Sequence, residues 1–427
     1  MMNESYTAHV LDNGLTVLLQ ENHSAPVISH GIWYRVGSRT EIPGKTGISH
    51  FVEHMQFKGT ERYPGKEMVW EVSRNGGILN GSTSQDYTAF YETMPAEHIG
   101  IALDIEADRM MNSLFDPKEV EAERTVILSE KEGDESNPSY DLYKSMQKAA
   151  FPHHPYRWDV IGETEDLQRM RRDDLYEYYR TWYSPNNAMV TVVGDFDTEE
   201  MLRRVEDAYG NIPAHHLPVT NVVPAGPIRS MLKIEDQGPG DLTDMRIDWL
   251  VPGAKDPDIP ALTLLVSILA GPDSMTMFDN VRITGRTSRL YRSLVTRRKL
   301  ADIHGRFNLT IDPYVFSLYT LVHPGITADE AGEAIFKEIE SLARDGVRPA
   351  EIKQARKQMK ALFAYTAEDT AMQAQWLGLS SMTADPEWHI GYRQRLENVS
   401  EEDVSRIAGT LFRRDNCVIG VYNPEEE

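Results

Sequence analysis

Two stretches of this chain match without a gap, and that match restricts the fold more than any composition figure. Asp173-Asp174-Leu175 through Trp182-Tyr183, Asn187 and the run 188–193 line up with Glu402-Asp403-Val404 through Leu411-Phe412, Asn416 and the run 417–422. Asp174 and Asp403, Thr181 and Thr410, and Asn187 and Asn416 coincide at one constant offset. Each copy reads as a helix running into a strand, so each half of the chain closes with the same unit. A chain of 427 residues is long enough for two packed domains. Between the copies, the segment 213–230 holds Pro213, Pro218, Pro224, Gly226 and Pro227 with little periodicity, the composition of a linker. The expectation is an α+β protein of two related α/β half-domains, each a mostly antiparallel sheet packed with helices. Its boundaries are expected at a first domain over 1–215, a linker over 216–230 and a second domain over 231–427.

Local patterns fit that division. Strand formers fill 8–11 and 15–20 around Asp12-Asn13-Gly14, a hairpin signal, and dominate 27–36. A short helix over 68–74 leads through Asn75-Gly76-Gly77 into strands over 78–83 and 88–93, followed by a periodic helix over 96–113. Helices over 140–147 and 173–182 precede a strand over 188–193. In the second half, strands are expected over 245–251, 305–311 and 315–322, and helices over 260–270, 288–295, 328–343 and 349–365.

Chemistry is concentrated in Gly47-Ile48-Ser49-His50-Phe51-Val52-Glu53-His54-Met55-Gln56-Phe57-Lys58-Gly59-Thr60. On a helix His50 and His54 lie one above the other, and Glu53 shares the face of His50. Two imidazoles so placed can hold one tetrahedral cation, and zinc suits mixed nitrogen and carboxylate ligands with a fourth position left to water. Glu53, beside a ligand yet free itself, is placed to take a proton. Ile48, Phe51, Val52 and Met55 give the helix an apolar side, and Gly59 reads as its C-cap. A third ligand is expected from 116–130, where Asp116 and Pro117 start a helix that Gly133 and Pro138 end. Glu123 and Glu130 are two turns apart on one face. Either can complete the metal site while the other accepts a hydrogen bond from a ligand histidine.

With His50-Phe51-Val52-Glu53-His54 running into Phe57-Lys58-Gly59-Thr60, Glu123 and Glu130 downstream, Asn80-Gly81-Ser82-Thr83, and Ser288-Arg289-Leu290-Tyr291 in the second half, the chain resembles the pitrilysin/insulinase family of H-x-x-E-H zinc peptidases. The likeness is to the zinc-bearing subunit of its two-chain members and to bacterial relatives, over essentially the whole chain. It implies one Zn2+ per chain held by His50, His54 and Glu130, with Glu53 as general base and Glu123 as the supporting carboxylate. It also implies that 78–83 is an edge strand on which an extended substrate adds by main-chain hydrogen bonds, with Asn80, Gly81 and Ser82 binding substrate. One departure stands out. Family members whose second-half domains close over the site have an Arg and, seven residues on, a Tyr after the Ser-Arg-Leu-Tyr-like segment; here the matching positions are Val295 and Asp302. The resemblance therefore implies a zinc endopeptidase subunit that cleaves short or extended peptides in a chamber formed with a second homologous chain carrying that pair. That assembly is expected to be a hetero-oligomer, with a homodimer as the alternative. The other readings are a non-catalytic assembly subunit and a peptidase dedicated to one precursor.

Bulk properties set outer limits. A net charge of -22 argues against binding nucleic acid or an anionic membrane through a general basic surface. One cysteine, Cys417, excludes an internal disulfide framework and suits a reducing compartment. No run reaches the length of a membrane span, and 1–10 shows neither an apolar secretory core nor an Arg-rich presequence. The expected location is the bacterial cytoplasm, or an organelle matrix or periplasm if a presequence has been removed.

Overall fold

A computed structural model of the chain describes residues 5–272 and 285–425. In the first half, strands β1 (Thr7–Val10), β2 (Thr16–Glu21) and β3 (Val27–Tyr34) precede helices α1 (Ile48–Met55) and α2 (Glu67–Arg74) and strands β4 (Ile78–Thr83) and β5 (Thr88–Pro95). Helices α3 (Ile99–Asn112), α4 (Pro117–Glu135), α5 (Tyr140–Ala150), α6 (Thr164–Arg169) and α7 (Arg172–Trp182), strand β6 (Ala188–Gly194) and helix α8 (Thr198–Tyr209) follow. The second half runs β7 (Leu232–Gly238), β8 (Asp244–Val251), α9 (Ile259–Ala270), β9 (Leu300–Phe307) and β10 (Tyr314–Val322), then α10 (Ala328–Asp345), α11 (Pro349–Thr366) and α12 (Thr370–Thr383). It closes with α13 (Pro386–His389), α14 (Tyr392–Asn398), α15 (Glu401–Leu411) and β11 (Cys417–Pro424).

The first sheet has the order β1-β2-β6-β3-β5-β4 and the second β7-β11-β8-β10-β9. Without β1 the two orders are the same, and in each sheet only the pair closing the half is parallel, β2 with β6 and β7 with β11. The repeat read between α7–β6 and α15–β11 is thus one part of a repeat that runs through both sheets, and the α+β, mostly antiparallel architecture stands. Strand β6 is buried at every residue, as its near-continuous apolar run, broken by Thr191, requires of a strand covered on both faces. Helices α1 and α9 occupy the same place in the two chain orders. Where α1 carries His50 and His54, α9 is apolar and buried along its whole length.

By packing, the chain divides into two units, neither continuous in sequence. One comprises the chain up to Glu132, Trp158–Val222 and Thr366–Met382; the other comprises Gly133–Arg157, Val223–Tyr365 and the chain from Thr383 on. The exchanged pieces are α12 and α5, which hold equivalent places in the repeat. In the first unit α12 brings Gly378 against the indole of Trp33 on β3, and Gln373 to Gln20 on β2. In the second unit Leu142, Met146 and Ala150 of α5 pack in one apolar cluster with Val418 and Tyr422 of β11. The segment from Pro213 to Arg229 has no helix or strand.

Several expectations need correction. The strand expected over 305–311 is β9, which starts five residues earlier and ends four earlier; a bulge at Ala301, between the pairs Leu321–Asp302 and Val322–Leu300, interrupts its alternation at the start. The helix expected over 288–295 is present over 289–295, but from Tyr291 to Val295 it is π-helical. Helix α4 ends at Glu135, between Gly133 and Pro138. Gly59 is not the cap of α1, which ends at Met55; at φ +104° it forms an isolated bridge to Pro64, and an added Cβ would meet the Gly65 nitrogen at 2.5 Å. No helix among the described residues is long and apolar enough to cross a membrane.

Candidate active site

Helix α1 owes its position to its apolar side and to an anchored N-terminus. Ile48, Phe51, Val52 and Met55 are buried in the core of the first unit. Gly47 enters the helix at φ +83°, where a Cβ would lie 2.3 Å from the Ile161 carbonyl oxygen, so only glycine fits. No side chain at Gly47 can cap the helix. Instead the buried Glu41 carboxylate accepts from the Gly47 and Ser49 amides at 2.8 and 3.0 Å. Helix α4 begins as expected, with the Asp116 side chain accepting from the Lys118 amide at 2.8 Å.

These two helices bring His50, His54 and Glu130 together, with one ligand atom from each lying within 4.8 Å of the others. The Glu130 Oε2 is 3.9 Å from His50 Nε2 and 3.6 Å from His54 Nε2. Glu123 completes the inner side: its Oε1 accepts from His54 Nδ1 at 2.8 Å, and Lys58 Nζ meets its Oε2. An ionised carboxylate only accepts, so Nδ1 carries the proton and the Nε2 lone pair faces Glu130. His54 and Glu123 are partly or wholly buried while Glu130 is exposed, which leaves the cluster open on one side.

Burial lowers the His50 imidazole to about 3, and His54 beside it adds to the effect, so His50 is neutral at physiological pH. Burial also lowers His54, but the bond to Glu123 and the charges of Glu53, Glu123 and Glu130 outweigh it and leave His54 above its usual value. Glu123 is pushed up by burial and pulled further down by His54 and Lys58, ending below the ordinary carboxylate range. The donor set fits a zinc ion: two imidazole nitrogens and one carboxylate oxygen converge, and a hydrogen-bonded carboxylate fixes the tautomer of one ring.

Glu53 lies beside the cluster and outside it. It is 7 % exposed, and burial raises its pKa against the opposing Thr83 hydroxyl, which donates to its Oε2 at 2.7 Å. The carboxylate points at β4. Gly81 on that strand leaves the space it fills: a Cβ there would come within 2.8 Å of Glu53 Oε1 and 3.0 Å of the Phe57 and Phe90 rings. Strand β4 is an edge of the first sheet, paired among the described residues with β5 alone. Gly81 and Thr83 share the face toward α1, and Asn80 and Ser82 the opposite one; Asn80 Oδ1 accepts from the Gly81 amide. Val295 lies in the π-helical turn and Asp302 on β9, both in the second unit.

Sequence reasoning missed Thr83, Lys58 and Glu41. Lys58 was within reach, one turn beyond His54 on the same side. Thr83 and Glu41 act across loops, and no spacing rule marks them.

Comparison with known proteins accords with this geometry. The family described as Insulinase (Peptidase family M16) matches residues 16–163, and its companion, Peptidase M16 inactive domain, matches 169–359, so the two span most of the chain. An uncharacterized zinc protease of Bacillus subtilis is 26% identical over 411 residues, covering 95% of this chain and 96% of the relative. The mitochondrial-processing peptidase subunit beta of Blastocladiella emersonii is 26% identical over 415 residues, covering 96% and 87%. Among solved structures, a protease from Helicobacter pylori superposes with a TM-score of 0.90 at 24% identity, covering 98% of this chain and 99% of its own. A peptidase M16 inactive domain from Pseudomonas fluorescens gives 0.86 at 14% identity over 99% and 98% of the two chains. With both halves matched in order along the chain and full-length relatives that are zinc proteases by name, the chain belongs to the insulinase family, peptidase family M16.

Proposed function

We propose that the chain is a zinc-dependent endopeptidase subunit in which His50, His54 and Glu130 hold one ion, Glu53 is the general base and Glu123 the carboxylate that orients His54. The convergence of two Nε2 atoms and a Glu130 oxygen beside an unliganded, buried Glu53 carries this reading. A zinc ion bound there would polarise the scissile carbonyl and acidify water. Glu53 takes the proton of the attacking water and delivers it to the leaving amine nitrogen, a task that its raised pKa suits. An extended peptide would add to the open edge of β4, with Asn80, Gly81 and Ser82 supplying main-chain contacts.

The second half offers Val295 and Asp302 where an Arg and a Tyr would bind substrate and steady the developing negative charge. This supports a complex with a second homologous chain that brings those groups, both chains together enclosing short or extended peptides. A lone buried Cys417 accords with a reducing compartment such as the bacterial cytoplasm. The match of 169–359 to a domain described as inactive favours a second reading, an assembly role, but that match describes the half without His50 and His54.

Purification of the chain from its native host, followed by assay on quenched peptides, tests the proposal. The complex is expected to cleave, the isolated chain to cleave at least about 100-fold more slowly, and Glu53→Gln to abolish turnover. Full turnover by the isolated chain contradicts the division of labour; full turnover by Glu53→Gln contradicts the base.

A further inference from the structure

Both fixed contacts of the Glu53 carboxylate come from one strand. Oε2 accepts from Thr83 and Oε1 fills the gap over Gly81, two residues earlier on the same face of β4. Behind the carboxylate stand the rings of Phe57 and Phe90, themselves covered by the Arg109 guanidinium at 5.2 and 4.0 Å from their centroids. That wall is rigid, because Arg109 is buried between Glu106 and Glu92. Strand β4 is held along one edge, by β5, from Ile78 against Thr93 to Thr83 against Thr88. Beyond Thr83, Ser84 bonds the Tyr87 carbonyl through its amide and the Ser38 amide through its carbonyl, whereas Ile78 at the other end is 73 % exposed. Among the described residues no strand lies beside the edge facing away from β5.

We propose that Thr83 is a positioning residue that ties the base to this edge strand, so that a peptide pairing along β4 fixes the Glu53 carboxylate as well as the scissile bond. The inference rests on Glu53 being the base and adds a regulation of the same site, activation by substrate length. Pairing adds main-chain hydrogen bonds along the second edge of β4, so that the strand is held from both sides; through the Thr83 hydroxyl that hold reaches Oε2. A peptide too short to pair along the six residues of β4 binds the site without fixing the base. Its deficit falls on kcat, because distant binding energy is then absent from the orientation of the reacting groups.

The test uses the full chain purified from its native host with the chains that accompany it, loaded with zinc. Quenched peptides of four and of twelve residues are compared for wild type, Thr83→Val, Thr83→Ser and Glu53→Gln. Wild type is expected to turn over the long peptide about tenfold faster than the short one. Thr83→Val, which keeps shape and loses the hydroxyl, should lower kcat for the long peptide about tenfold with KM within about twofold, bringing the two peptides level. Thr83→Ser should restore kcat to within about threefold, and all four proteins should bind equal zinc. Crystal structures with an uncleaved peptide give a readout without turnover: Glu53 on β4 in wild type, and swung away in Thr83→Val. An unchanged length ratio in Thr83→Val, a Thr83→Ser as slow as Thr83→Val, or an unmoved Glu53 would overturn the inference. An active Glu53→Gln would overturn the base assignment itself, whereas an inactive Glu53→Gln beside a normal Thr83→Val removes only the role of Thr83.

Discussion

Lys58 shows how much of the site depends on residues that touch no candidate ligand. Its ammonium holds one oxygen of Glu123 while the other oxygen accepts a hydrogen bond from His54 Nδ1, so rotation of Glu123 is blocked from both sides. Partners of this kind change metal affinity by about 10–100-fold when removed, because the ligand ring then samples other orientations. Lys58→Met is therefore expected to raise the zinc dissociation constant about tenfold, read by competition with a chromophoric chelator, and Lys58→Arg to stay within about threefold of wild type. An unchanged constant in Lys58→Met would show that His54 alone holds Glu123. His50 and His54 face one way because spacing on a helix is a local property, and the packing of α4 brings Glu130 to them. The hydroxyl of Thr83 was silent in the sequence because its value depends on the register of β4 against α1, which no local pattern encodes.

Helix α1 illustrates an element whose existence was legible and whose anchor was not. The apolar positions and the two-histidine spacing identify it, yet its N-terminus is capped by Glu41, six residues before Gly47 and outside any capping motif. Burial raises Glu41 to about 7, against the Ser49 and Gly47 amides that oppose the shift. The folded value lies above the unfolded value of 4.5, so this group's contribution to stability is fully present below pH 4.5 and is lost as pH rises through about 7. Relative to Glu41→Gln, which does not ionise, wild type is expected to lose on the order of 3 kcal/mol across that window, measured by urea unfolding at several pH values. A difference between the two proteins that stays flat with pH would contradict the burial of an ionising carboxyl at this cap. Strand β9 was legible only in part: the bulge at Ala301 interrupts the period-two pattern on which strands are read at the start of the strand, so that its first residues do not continue the alternation of Ile303, Gly305 and Phe307.

At the scale of the whole molecule, sequence repetition revealed two halves of one design but not the exchange of α5 and α12, because an exchanged helix has the same amphipathic pattern as one packed at home. Gly378 in α12 tests that exchange through the sign of one substitution. Alanine in a helix interior ordinarily stabilises by about 1 kcal/mol relative to glycine. Here a Cβ would stand 2.1 Å from the Trp33 ring, whose indole is buried and bonded to Thr191, so Gly378→Ala is expected to cost about 1–3 kcal/mol in chemical denaturation. A stabilised Gly378→Ala would contradict the packing of α12 on β3. The two halves differ at one equivalent slot: α1 fills it with two imidazoles and α9 with a buried, mostly apolar run. Zinc content per chain, measured on wild type, Glu130→Gln and Glu53→Gln after exhaustive dialysis, therefore addresses the central assignment most directly. The account predicts one ion in wild type, one in Glu53→Gln and none in Glu130→Gln; a Glu130→Gln that keeps its ion, or a Glu53→Gln that loses it, would contradict it.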